Sequence, residues 1–179
     1  MADHHDISIR ALGCHDLDLF RTMRLRALKM HPGYYGENFQ DVENCPDEYW
    51  LKILNDVDKQ VFGLFEGLKH VGITSVHTWP DDPSGKTGFL GMSFIEPDYR
   101  GNGYSCLFYK ARINFALGHE QWTKLHTNHR EGNHASRAAM IKHGFHYVGW
   151  RQSDFPDSTR DTLHDYEIYL VMLRKKRMA

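Results

Sequence analysis

The run Phe89-Leu90-Gly91-Met92-Ser93-Phe94-Ile95, followed by Glu96-Pro97-Asp98-Tyr99-Arg100-Gly101-Asn102-Gly103-Tyr104-Ser105, decides how the rest of the chain is read. The apolar first part reads as a buried strand. Leu107, Phe108, Ala111 and Phe115 then recur at helical spacing, which predicts a helix from about Tyr104 to Leu117 that Gly118 ends. Between strand and helix, Gly101 and Gly103 allow backbone conformations closed to other residues and leave bare N–H groups facing a ligand. Those groups and the positive end of the helix dipole make an anion site, and Arg100 adds a fixed charge suited to phosphate oxygens. A phosphate-bearing ligand is implied. Spacing removes two familiar ones: a Walker A loop needs a lysine that does not follow here, and a dinucleotide fingerprint needs glycine where Cys106 stands. A plain glycine-rich helix start remains the structural alternative.

Upstream, residues 7 to 11 alternate as a half-buried strand. Asp16 or Asp18 can cap a helix carrying Leu19, Phe20, Met23, Ala27 and Leu28, which stops before His31-Pro32-Gly33. A short helix is expected from Asp47 to Leu54. Strands at Val61 to Phe65 and His70 to His77 are joined as a hairpin, and a loop spans residues 79 to 86. Downstream come a strand at residues 123 to 129, a helix opened by Asn133 and closed by Gly144, and strands at Phe145 to Arg151 and Tyr166 to Leu173. The basic end from Arg174 to Arg177 reads as a solvated tail. This order is an α/β or α+β mixture.

At 179 residues one domain, 1–179, is expected. A net charge of −1 leaves no general field for phosphate backbones, so nucleic acid is not an expected partner. No apolar run is long enough to span a membrane, and the polar start has no leader pattern. Cys14, Cys45 and Cys106 fit neither a disulfide framework nor a close-spaced zinc site, which points to a reducing cytoplasm. The 13 histidines make the charge unusually sensitive to acid.

Arg100-Gly101-Asn102-Gly103-Tyr104-Ser105 resembles the Arg/Gln-x-x-Gly-x-Gly/Ala signature of the GNAT superfamily of N-acetyltransferases. Asn133 with Ser136, Met140, Gly144 and Phe145 resembles its second motif, and Arg24 to Lys29 with His31-Pro32, Gly36 and Phe39 resembles its first helix and following loop. The resemblance implies a single-domain GNAT fold: a mixed, mostly antiparallel sheet of about six or seven strands, about four flanking helices, and a splayed pair of parallel strands forming the cofactor cleft. It implies acetyl-coenzyme A as co-substrate, transfer to a primary amine, and commonly a homodimer. Phe94 and Ile95 would lend main-chain groups to the pantetheine arm and an N–H to the oxyanion. Residues Arg100, Gly101, Asn102, Gly103, Tyr104 and Ser105 would hold the pyrophosphate, and Asn133 would bond the cofactor arm or cap its helix. Gly149-Trp150-Arg151 and the strand after Asp165-Tyr166 resemble the branch that acetylates ribosomal-protein N-termini and polyamines.

Two departures stand out. Ser105 replaces Gly or Ala, a small change. Met140 replaces the tyrosine that protonates the leaving thiolate, and methionine has no proton to give. An inactive acyl-coenzyme A sensor is therefore an alternative to an enzyme. The base candidates are His129, whose ordinary pKa suits the task, and Glu96 beside the loop; a water chain could replace either. His126, His129, His134, His143 and His146 invite a metal-binding alternative, whereas His4 and His5 could bind nickel without any meaning for function. His126 and His129 face opposite sides of a strand, however, and no recognised ligand spacing is completed. The amine, small molecule or peptide, falls to residues 31 to 45, with Tyr34, Tyr35 and Phe39, and to a loop from Gln152 to Asp165. That loop's Asp154, Asp157, Asp161 and Asp165 either attract a cation or lie solvated against Arg151 and Arg160.

Overall fold

The alternating first half forms an antiparallel meander: β1 (Ile7–Leu12), β2 (Lys59–Glu66), β3 (Lys69–Thr78) and β4 (Thr87–Ile95) pair in that order. A computed structural model describes residues 6–178, so His4 and His5 lie outside it. The second half adds β5 (Lys124–Arg130), β6 (His146–Asp154) and β7 (Arg160–Tyr169), giving one sheet of order β1-β2-β3-β4-β5-β7-β6. The helices are α1 (Leu17–Met30), the single turn α2 (Phe39–Val42), α3 (Asp47–Leu54), α4 (Ser105–Gly118), α5 (His134–Lys142) and α6 (Leu170–Met178). None among the described residues is long and apolar enough to cross a membrane.

Helix α1 buries Phe20, Met23, Ala27 and Leu28 with Trp50 of α3 against Val61, Ile73 and Phe94 on one face of the first four strands. Helices α4 and α5 cover the other face, where Tyr109 and Met140 meet Leu90, Leu125, Tyr166 and Ile168. The two strand sets meet in a parallel seam of three pairs, Thr87 with Lys124, Gly88 with Leu125 and Phe89 with His126. A Cβ on Gly88 would lie 2.7 Å from Trp122 and Leu125, so only glycine lets the seam close over the buried Trp122 ring. Past Phe89 and His126 the strands have no paired residues, and the splayed pair expected for the fold is present.

Several sequence expectations need correction. The stretch Gln152 to Asp165 is the body of the β6–β7 hairpin, with only residues 155 to 159 turning. Hydrogen bonding along the ladder outweighs its polar composition. The apolar run Tyr166 to Leu173 divides, because β7 ends at Tyr169 and Leu170 opens α6. Arg174 is not a solvated tail residue: its guanidinium donates to the carbonyls of Ala116, His119 and Trp122, satisfying acceptors at the C-terminal end of α4. Asp16 sits at the start of α1 but its carboxylate takes Arg10 and the Gly13 N–H instead of capping the helix.

Candidate active site

The gap between β4 and β5 is shaped by a bulge. Ile73 pairs with Phe94 and Ser75 with Gly91, so Met92 and Ser93 together face the single residue Thr74. Met92 adopts φ +55°, a strained value for a non-glycine residue. Ser93 is solvent-exposed in the middle of a seven-stranded sheet, because no strand lies against it on the β5 side. Its carbonyl accepts the Tyr35 hydroxyl at 3.1 Å, and its Oγ lies 2.9 Å from both Thr74 Oγ1 and Arg112 Nη1.

At the end of β4 the chain makes a 3-10 turn, Pro97–Tyr99, and then the loop into α4. Gly101 and Gly103 have φ of +81° and +77° with nothing within 4 Å of an added Cβ, so glycine is needed here for conformation and not for space. Tyr104 at the helix start makes no side-chain cap, and among the described residues the N–H groups of residues 101 to 105 find no acceptor. They are a row of free donors at the positive end of a 14-residue helix. Arg100 does not extend freely beside them. Its Nε donates to the Ile95 carbonyl at 2.7 Å and its Nη2 to His31 Nε2 at 2.9 Å, binding the loop to β4 and the end of α1. Burial, then the Arg100 charge, lowers the His31 pKa, which keeps the ring neutral and able to accept.

The other candidates fall into separate places. Glu96 is engaged by Arg26 of α1. Asn133 caps α5, its Oδ1 accepting the Ser136 N–H at 3.2 Å, while its Nδ2 has no acceptor among the described residues. His129 turns away from β4. Its Nδ1 donates to the Arg130 carbonyl at 2.9 Å, leaving Nε2 to accept the Tyr166 hydroxyl at 3.4 Å. The ring helps to line a cleft of about 560 Å³ with Arg137, Tyr147, His164 and Tyr166, which contains no residue of β4 or its loop. Burial lowers its pKa. Met140 is packed in the core at 4% exposure.

His126 faces the opposite side of β5 from His129, stacked at 3.9 Å under Trp79 with its nitrogens towards Asp165 and Glu167. Among the described residues no three His, Cys, Asp or Glu side chains converge as metal ligands.

Sequence reasoning missed Arg130, which links the loop after α1 to the β6–β7 hairpin. It donates to the Gly33 carbonyl, to Asp157 and Asp161 at 2.9 and 2.8 Å, and to Thr159, and so ties the loop after α1 to the hairpin tip. The Thr159 hydroxyl, then Arg130, hold the Asp157 carboxyl down at about 2. Asp165 is met by Arg151 and His126, and Asp154 by Arg160, so each of the four hairpin aspartates has an arginine beside it, Asp157 and Asp161 sharing Arg130.

The acetyltransferase (GNAT) domain model matches residues 9–146. No curated protein sequence matches the chain. Among solved structures, a GNAT-family acetyltransferase from Streptococcus pneumoniae shares the fold at a TM-score of 0.74 and 17% identity, over 92% of this chain and 99% of that one. A spermidine N-acetyltransferase from Vibrio cholerae, in complex with CoA and spermine, gives 0.68 and 16% over 92% and 96%. A ribosomal L7/L12 alpha-N-protein acetyltransferase in complex with coenzyme A gives 0.72 and 14% over 91% and 93%. With the bulged β4, the splayed parallel pair and a family match over well more than half of its length, the chain belongs to the GNAT acetyltransferase family.

Proposed function

We propose that this protein transfers acetyl from acetyl-coenzyme A to a primary amine by direct attack. The neutral amine forms an N–C bond to the thioester carbonyl, the C–S bond breaks with its electron pair on sulfur, and one proton leaves the nitrogen. The observation that carries this reading is the row of unpartnered N–H groups from Gly101 to Ser105, next to a gap in the sheet. Those donors suit a pyrophosphate. The main chain of Phe94 and Ile95 and the Asn133 Nδ2 suit the amide-rich arm. The spermidine and ribosomal-protein acetyltransferases with this fold, both in complex with coenzyme A, support an amine as acceptor.

The proton is routed to water in the gap beside exposed Ser93, since Glu96 is paired with Arg26 and His129 opens on the other cleft. Met140 supplies no acid. A thiol of ordinary pKa near ~8.5 departs as the anion, and the missing acid costs at most ~10²- to 10⁴-fold.

Calorimetry with coenzyme A and a thiol-release assay with spermidine, other amines and peptide N-termini test this. Binding together with amine-dependent thiol release is expected. Binding without release from any acceptor would favour a sensor, and no binding would sink the reading.

A further inference from the structure

Arg112 on α4 is 2% exposed, yet among the described residues no carboxylate pairs with it. Its Nε donates to the Phe108 carbonyl of its own helix, its guanidinium lies 4.7 Å over the Tyr109 ring, and its Nη1 donates to Ser93 Oγ at 2.9 Å. Burial lowers its pKa to about 10. Withdrawing a guanidinium from water without a counter-ion costs several kcal/mol, whereas an apolar side chain of similar length would fill the same space at no such cost. Stability therefore gives no reason for this charge.

Its position does. Arginine only donates, so Ser93 Oγ accepts from it. Thr74 donates its one hydroxyl hydrogen to the Gly91 carbonyl at 3.3 Å, which leaves Ser93 to donate to Thr74 across 2.9 Å. The chain runs one way, from Arg112 through Ser93 and Thr74 to Gly91. In a trans peptide the C=O and the following N–H point in opposite directions. With the Gly91 carbonyl held towards β3, the Met92 N–H turns to the side from which β5 has separated. The preceding carbonyl, Leu90, is reached from β5 by Thr127, as that alternation requires.

We infer that Arg112 is a positioning residue for acetyl transfer: through Ser93 and Thr74 it fixes the strained peptide that aims the Met92 N–H into the gap, and it sets a full positive charge beneath the negative charge that develops there. This rests on the acetyl-transfer reading above.

Arg112→Met and Arg112→Lys, compared with wild type on one amine, test it. Arg112→Met is expected to stay folded, bind coenzyme A and keep its KM for the amine, with kcat down on the order of 10²-fold. Arg112→Lys is expected to recover part of that loss. If Arg112→Met does not fold, Ser93→Ala cuts the same chain at an exposed site and is expected to lower kcat about tenfold at unchanged coenzyme A affinity. A wild type that turns over beside a folded Arg112→Met, or a Ser93→Ala, of equal kcat overturns this inference alone. A wild type that releases no thiol on any amine overturns the acetyl-transfer reading and this inference with it.

Discussion

Acid should unfold this protein through its histidines, and His77 offers the cleanest measurement. It lies on β3 between Lys59 of β2 and Phe89 of β4, partly buried and edge-on to the Phe89 ring at 5.5 Å, with a buried Nδ1 that has no partner among the described residues. Desolvation first, and the Lys59 charge second, push its pKa from 6.5 down to about 4. Above pH 6.5 both folded and unfolded chains hold the ring neutral. As pH falls from 6.5 towards 4 the unfolded chain takes up a proton that the folded one refuses, so stability is lost with acidification. The full depression is worth about 3 kcal/mol, of which about 2 kcal/mol is already lost at pH 5. His77→Phe keeps a flat ring against Phe89 and removes the titration. Urea unfolding followed by tryptophan fluorescence between pH 7.5 and 4.5 should show the variant's midpoint falling less, by about 1 M at pH 5. His31, His70, His129 and His143 are also depressed by burial and remain in both proteins, so the difference isolates His77. Parallel pH curves for variant and wild type would refute the reasoning.

Three further outcomes are expected. Gly103→Ala forces a side chain onto φ +77°, at about 1–2 kcal/mol of strain, and turns the loop's donors; calorimetry should show coenzyme A affinity down about tenfold, and an unchanged Kd would remove the loop from the binding site. Arg174→Ala strips donors from the end of α4 and should cost about 2 kcal/mol, a Tm drop of about 4–8 °C by calorimetric scan; an unchanged Tm would return Arg174 to the solvated tail. His129→Ala should leave the shape of the kcat–pH profile as in wild type, because the ring lines the α5 side cleft; loss of a limb would restore it as the base.

The parts of the fold that sequence exposes are those where one physical rule dominates. The apolar stripe of α1 is found where its spacing puts it, and Gly101 and Gly103 take the positive φ for which the loop before α4 needs glycine. The outer part of the β6–β7 hairpin, from Gln152 to Asp165, reads as a loop because β6 is largely exposed on both faces and no apolar alternation marks the stretch. Its aspartates look like a loop until Arg130, Arg151 and Arg160 are seen to face them. At the site, Arg100 was legible as a charge near the loop, but its pairing with His31 joins residues far apart in the chain. Ser93 and Arg112 belong to no motif, and only the bulge, which shifts the strand register, brings them together. His129 lies on β5 as expected, but which neighbour its ring leans towards depends on β7 packing beside it.

The three-pair seam has a mechanical consequence. On either side of it lie two antiparallel sheets, one of four strands and one of three, each held by its own ladders. The seam is the run of strand pairing that joins them, reinforced by the core under α4 and α5 and by Arg130. The width of the gap is therefore set by three strand pairs and by the side chains packed across the two sheets, not by a continuous ladder.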